Sequence, residues 1–212
     1  MRILILVIII PFQLFAQTYK PALRNVNLWT LSGRTVETII ENGKDGIKFS
    51  EDKGPGLWLL KEYIFSNGTI EFDVKGRNVL QKSFIGIAFH FQNDSTYDAV
   101  YFRPFNFSNP DTARRSRAVQ YISLPGFYWD KLRNQFPGKY ENKVTPVPDP
   151  DDWFHVKLII ADKKIIVFVN NSTVPSLEVE KLSSTKNGQI GLWVDNGSDG
   201  SFANLVITPA AK

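Results

Sequence analysis

Residues 83–107, SFIGIAFHFQNDSTYDAVYFRPFNF, decide the fold. With a period of two, Ile85, Ile87, Phe89 and Phe91 fall on one side of an extended segment, and Gly86, Ala88 and His90 on the other. The connector Gln92-Asn93-Asp94-Ser95-Thr96 is rich in turn formers. Beyond it, Val100 and Phe102 oppose Ala99, Tyr101 and Arg103. Two half-buried strands joined by a polar turn make a hairpin. Ile85, Ile87, Phe89, Val100 and Phe102 are expected in the core. The other face is expected to be open, a floor of Gly86 and Ala88 with His90, Tyr101 and Arg103 beside it. A small-residue floor edged by a ring, an imidazole and a guanidinium suits a sugar or another flat polar ligand.

On either side of this hairpin, short extended segments succeed one another at 36–40, 46–50, 57–63, 69–75, 118–123, 153–160, 164–170, 188–195 and 201–208. Ile70, Phe72 and Val74 alternate in one, Phe154, Val156, Leu158 and Ile160 in another, and Ile190, Leu192 and Val194 in a third. Many short strands with Gly, Asn and Asp turns predict an all-β antiparallel sandwich or barrel. No repeat of fixed period points to a propeller or solenoid. Residues 125–152 break the rhythm. Within them, 127–136 predict a short accessory helix with Trp129, Leu132 and Phe136 on one side, ended by Gly138. A long ordered loop of this kind is either part of a functional site or a cap on an open end of the sandwich.

Residues 1–16 read as a signal peptide: Arg2, an unbroken apolar run over 3–10, and Leu14-Phe15-Ala16 before Gln17. The run is too short for a bilayer, which needs about 20 apolar residues, so no stable membrane anchor is expected after cleavage. The mature chain, 17–212, is one domain, secreted or periplasmic. It has no cysteine, so its core must hold it without disulfides. Lys and Arg number 25 against 21 Asp and Glu. The one basic cluster is Arg114-Arg115-Ser116-Arg117, too short for the stripe that nucleic-acid binding requires.

The segments GTIEFDVKG (68–76), SFIGIAFHF (83–91), YDAVYFRPFNF (97–107), AVQYISLPG (118–126), DPDDWFHVKLII (149–160) and GQIGLWVDNGSDGSFANLVI (188–207) together resemble the concanavalin A-like lectin/glucanase superfamily. The chain is most similar to secreted laminin-G-like domains and to the domain family named for 3-keto-disaccharide hydrolases. The resemblance implies a jelly roll of two curved antiparallel sheets with carbohydrate as the partner. It does not fix an activity, because this fold hosts lectins, hydrolases and adhesion modules.

The glucanase branch of that superfamily places three acids on one strand, two of them acting as nucleophile and general acid about 5 Å apart in retaining enzymes. Here Glu71 and Asp73 alternate, but Lys75 and Gly76 stand where the third acid would be. Retaining chemistry of that type is therefore not expected, and Glu71 and Asp73 are read as solvated carboxylates on an outer face. If the chain processes glycosides, 3-keto glycosides among them, His90 and Arg103 are the catalytic candidates: an imidazole for acid–base work near neutrality and a guanidinium for an oxyanion or a hydroxyl pair. The expected ligand-binding set is His90, Tyr101, Arg103 and Gln120 from the open face, Tyr128 and Trp129 from the 125–152 insertion, and Trp193, which opposes Leu192 and Val194. The insertion is expected to leave the sheet near Arg103 and fold over as a wall. No cofactor is expected. With two histidines, no cysteine and no acidic cluster beside them, zinc is not expected; Asp195 and Asp199 lie in a loop with calcium-like acidic spacing, but Val206 stands where the bidentate Glu belongs. Three functions stay open at this point: carbohydrate recognition on the sheet face, glycoside processing, and laminin-G-like protein adhesion through rim loops.

Overall fold

In the computed structural model, residues 17–211 are described. The strands run in chain order as β1 (Trp29–Ser32), β2 (Val36–Glu41), β3 (Lys44–Phe49), β4 (Gly56–Leu60), β5 (Gly68–Lys75), β6 (Ile85–Asn93), β7 (Thr96–Phe102), β8 (Val119–Ser123), β9 (Glu141–Asn142), β10 (Phe154–Ile160), β11 (Lys164–Val169), β12 (Leu177–Glu180), β13 (Gln189–Val194) and β14 (Gly200–Pro209). They form two antiparallel seven-stranded sheets. The first has the order β1-β4-β13-β6-β7-β8-β9 and the second β12-β11-β10-β5-β14-β3-β2. This is the jelly-roll-like sandwich the sequence predicts. Two short α-helices accompany it where one was expected, α1 (Thr112–Arg115) and α2 (Trp129–Gln135).

The sandwich follows from the alternation. Each strand turns one row of apolar side chains inward, and the two rows meet between the sheets. Ile85, Ile87, Phe89, Val100, Phe102, Leu192 and Val194 of the first sheet are buried, as are Ile70, Phe72, Val74, Phe154, Val156 and Leu158 of the second. Phe102 meets Phe154 edge-on across the gap, with centroids 5.2 Å apart. Without disulfides, this apolar burial is the main force holding the layers together. The amino-terminal end is tied in as well: Tyr19 pairs with Ile207 on β14 and stacks on Tyr63. The proposed signal segment, 1–16, lies outside the described residues.

Two expectations about the hairpin fail. The floor of Gly86 and Ala88 is buried rather than open, and His90 leaves that face altogether, for which the backbone shows why. The β6–β7 register is regular from Ile85↔Phe102 to Phe89↔Asp98, then shifts before Asn93↔Thr96. His90 sits in that irregularity at φ 51°. A bulge adds a residue to one strand and re-aims the side chains that follow. His90 therefore does not join Gly86 and Ala88 on the outer face. It is fully buried, with Nδ1 3.1 Å from Asp98 Oδ2 and Nε2 2.6 Å from the Ser66 carbonyl oxygen. Tyr121 donates to the other Asp98 oxygen at 2.8 Å. The histidine is part of a buried polar knot and presents no surface to solvent.

The outer face of the second sheet is also less solvated than expected. Glu71 and Asp73 flank His155, which contacts Asp73 Oδ1 at 2.9 Å and Glu71 Oε2 at 3.4 Å. Lys44 and Asn204 both donate to Asp73 Oδ2, at 2.7 and 2.6 Å. Lys75, in place of the third acid, is paired with Glu41 at 2.6 Å. The acids here form an ion-pair cluster on the sheet.

Candidate functional site

The outer face of the first sheet is built over a glycine. Gly86 lies between Trp193 of β13 and Tyr101 of β7 in register. A β-carbon at Gly86 would run into the Val100 carbonyl and the Tyr101 backbone. With hydrogen there instead, the Trp193 and Tyr101 rings approach to 5.2 Å. Next along the sheet, Gln120 of β8 stands opposite Tyr101, and Glu141 of β9 opposite Gln120. Val119 and Tyr121 therefore turn inward, and Gln120 joins Tyr101 and Arg103 as the alternation predicts.

These residues lock Arg103 in place. Its guanidinium donates to the Tyr101 hydroxyl at 2.7 Å, to Gln120 Oε1 at 2.5 Å and to the Arg117 carbonyl at 2.8 Å. It also lies over the Tyr101 ring, 4.8 Å from the centroid, a cation–π arrangement. Arg103 is only 5% exposed. Burial pushes the Tyr101 phenol up to about 12, against the opposing pull of the Arg103 charge, so it is a neutral hydrogen-bonding group at physiological pH.

The 125–152 insertion supplies the wall, although by a different route from the one expected. It leaves β8 after Ser123, which pairs with Asp98 at the end of the strand away from Arg103. A tight turn joins Ser123 and Phe127 through 2.7 and 3.0 Å backbone bonds. The chain then runs back across the outer face as α2, anchored by buried Leu132. Asp130 lies in its first turn and Arg133 in its last, each suited to the helix dipole. β9 follows and brings Glu141 beneath Arg133, which grips both carboxylate oxygens at 3.0 and 2.7 Å.

Between wall and floor is a cavity of about 610 Å³. Tyr101, Arg103, Tyr128 and Trp129 all line it, together with Asp195. Trp129 keeps 37% of its surface exposed, and Arg133 lies over its ring at 4.9 Å. Tyr128 donates to Asp195 Oδ2 at 3.0 Å; burial first, then the neighbouring Asp195 charge, raises its pKa far above the ordinary phenol value. Three expected residues do not line the cavity. Gln120 is completely buried and acts beneath it by holding Arg103. Trp193 is 1% exposed and supports Tyr101 from below. His90 lies in the core with Asp98.

Sequence reading missed Arg114, Arg117 and Arg133, which also line the cavity, and Glu141, which pairs with Arg133 and Arg117. The Arg114–Arg117 cluster was visible as a sequence feature, but only the fold turns it toward the sheet face. Asp195 and Asp199, the two calcium candidates, both meet protein side chains. Asp195 accepts from Tyr128, whereas Asp199 is 2.6 Å from Arg77. Among the described residues, no three His, Cys, Asp or Glu side chains converge to hold a metal.

A family model of the 3-keto-alpha-glucoside-1,2-lyase-like domain matches residues 24–208, which take in both sheets and the whole cavity. The chain belongs to the 3-keto-alpha-glucoside-1,2-lyase-like family. No curated protein sequence matches it significantly. Among solved structures, this lyase-like domain is similar to the carbohydrate-binding module CBM66 from Bacillus subtilis, with a TM-score of 0.62, 16% identity, and 87% of this chain and 98% of that one covered. It is also similar to a Bacillus subtilis protein of galectin-like fold, with a TM-score of 0.61, 15% identity and coverage of 92% and 96%. A third is the exoplasmic/lumenal domain of VIP36, in a form bound to calcium and Man3GlcNAc, at TM-score 0.56, 10% identity and coverage of 89% and 86%. At these identities the likeness establishes the fold of the lyase-like domain.

Proposed function

We propose that this domain, exported from the cell, binds a saccharide in the cavity between α2 and the outer face of the first sheet. The observation that carries the proposal is the pairing of a half-exposed indole, Trp129, with a fixed guanidinium, Arg103, across one cavity. Pyranose rings stack on aromatic faces through their C–H surfaces while their hydroxyls seek directed donors and acceptors. An apolar wall with a few placed polar groups is the usual composition of a small-ligand site. The family and the carbohydrate-binding structural relatives support the same reading. It carries over the expected roles of Tyr101, Arg103, Tyr128 and Trp129, and moves Gln120 and Trp193 from contact to support.

The test is affinity electrophoresis and calorimetry across a set of soluble glycans. Trp129→Ala is expected to weaken the best ligand about tenfold, the scale of one stacking contact at ~1.5 kcal/mol. Because the side chain is partly exposed, urea unfolding should shift by less than about 0.5 kcal/mol. Absence of binding to every glycan tested, or full affinity in Trp129→Ala, would overturn the proposal.

A second reading is enzymatic and draws on the family together with Asp195 on the cavity wall. In a 3-keto glycoside the C2 proton lies next to the ketone and is acidic. A carboxylate can remove it while the C1–O bond breaks, leaving a C1–C2 double bond and an alkoxide that takes up a proton. Asp195 is the candidate base and Arg103 the candidate cation for the developing enolate oxygen. Incubation with a 3-keto glucoside should then release the aglycone, and Asp195→Asn should abolish release while retaining binding. Saccharide binding without release in the unsubstituted protein would leave the binding reading alone.

A further inference from the structure

The charge balance of the cavity goes beyond what a neutral sugar calls for. Arg103, Arg114, Arg117 and Arg133 line it. Three of these share one carboxylate. Glu141 binds Arg133 at 2.7 Å, stands 3.7 Å from Arg117 Nε and 3.9 Å from Arg103 Nη1. Glu141 is buried and its closest partner is Arg133. Arg114 is only loosely paired with exposed Asp111, at 3.7 Å. The Asp195 carboxylate already accepts from Tyr128. Arg103 is thus a buried cation whose nearest carboxylate is at the limit of ion-pair distance.

A buried charge lacking a close counter-charge is costly, and an anion supplied by a ligand relieves that cost. Guanidinium forks suit planar or tetrahedral oxyanions, which they bind with two parallel hydrogen bonds. We propose that the cavity selects an acidic saccharide, with a carboxylate or sulfate ester seated among Arg103, Arg117 and Arg133 while the ring rests on Trp129. Arg114 and Arg117, both at the exposed rim, draw the ligand in. This inference rests on the saccharide reading above and specifies the class of sugar within it.

The experiment compares three probes by calorimetry on the full mature domain: an oligogalacturonate, a sulfated oligosaccharide of equal length, and a neutral malto-oligosaccharide. One or both acidic probes should bind at least about tenfold more tightly than the neutral one, equivalent to ~1.4 kcal/mol. The relative affinity of the two acidic probes identifies carboxylate or sulfate as the anion. Binding should weaken as ionic strength rises from ~0.05 to ~0.5 M, because the rim charges are screened. Arg117→Gln, at a partly exposed side chain, should remove about tenfold of acidic-probe affinity and a much smaller part of neutral-probe affinity. Lys163→Gln, on the distant β10–β11 turn, should alter neither. Equal affinity for neutral and acidic probes, or a silent Arg117→Gln, overturns the acidic-sugar inference and leaves saccharide binding standing. Failure of all three probes, extended to the wider glycan set, overturns both.

Discussion

Replacing His90 by alanine leaves the Asp98 carboxylate in the core with Tyr121 as its remaining close side-chain partner. A buried hydrogen-bonding group that loses a partner typically costs about 1–3 kcal/mol, because it stays desolvated. His90→Ala is therefore expected to lower unfolding free energy by about that much in urea, with little change in ligand affinity for whatever remains folded. A large affinity loss at unchanged stability would instead return His90 to the binding site. Both His90 nitrogens face oxygens, Asp98 Oδ2 and the Ser66 carbonyl, so the ring is held from both sides. At Gly86 the constraint is steric. A β-carbon there meets backbone as well as the Tyr101 side chain, so Gly86→Ala must push Tyr101 away. That substitution should cost both stability, by about 1–3 kcal/mol for overpacking, and ligand affinity, since Tyr101 positions Arg103.

Among the elements, β3, β5, β10 and β14 share the cluster of Asp73, His155, Glu71, Lys44 and Asn204, and its charges make stability depend on pH. Burial pushes Asp73 up, but hydrogen bonds from His155, Lys44 and Asn204 outweigh it and hold the carboxyl at about 2. The hydrogen bond to Asp73 raises His155 above its ordinary value, partly opposed by burial. A depressed carboxyl pKa contributes stability that is present above the unfolded value and lost as pH falls toward about 2, here about 2 kcal/mol. A raised imidazole pKa contributes stability that is full below about 6.5 and lost as pH rises through the higher folded value. Unfolding free energy is therefore expected to fall on both sides of a window between about pH 4 and 6.5. His155→Gln should flatten the alkaline limb, and denaturation at several pH values checks this. Most of these elements were legible in the sequence because alternation over five or more residues leaves a clear record. β5, β6, β7, β10, β11 and β13 all fall where apolar residues alternate. β1, β9 and β12 are two to four residues long, too short for a period to show, and were missed. The bulge at His90 was invisible for a different reason: an extra residue in one strand is defined by its partner strand, not by its own sequence. The same applies to the cavity. Tyr101, Arg103, Tyr128 and Trp129 could be brought together from face and loop arguments, whereas the meeting of Arg117, Arg133 and Glu141 depends on how α2 crosses back over the sheet.

At the scale of the whole molecule, the last two strands hold both layers together. β13 lies between β4 and β6 in the first sheet, and β14 between β5 and β3 in the second. Each is therefore interior to its sheet, with partners on both sides drawn from the first half of the chain: Trp193 pairs with Leu57 and Gly86, and Phe202 with Ile47 and Val74. Neither sheet can be completed until residues beyond 188 are present. An edge strand can be lost with one ladder of hydrogen bonds, but removing an interior strand exposes two unpaired edges and half-empties the core beneath. A chain comprising residues 17–187 would lack Leu192, Val194, Phe202 and Ile207 from the core, each fully buried. At about 1.5–3 kcal/mol per large apolar side chain, these four alone approach the whole stability of a typical domain. The 17–187 chain is accordingly expected to be unfolded, with an undispersed amide NMR spectrum and no saccharide affinity. The intact 17–212 chain should unfold in a single cooperative transition, and should refold on the millisecond-to-second scale or slower, because its decisive pairings join distant parts of the sequence. A dispersed spectrum from 17–187, or two separate transitions from the intact domain, would mean that one layer holds together without the other, contrary to the interlocked order of the sheets.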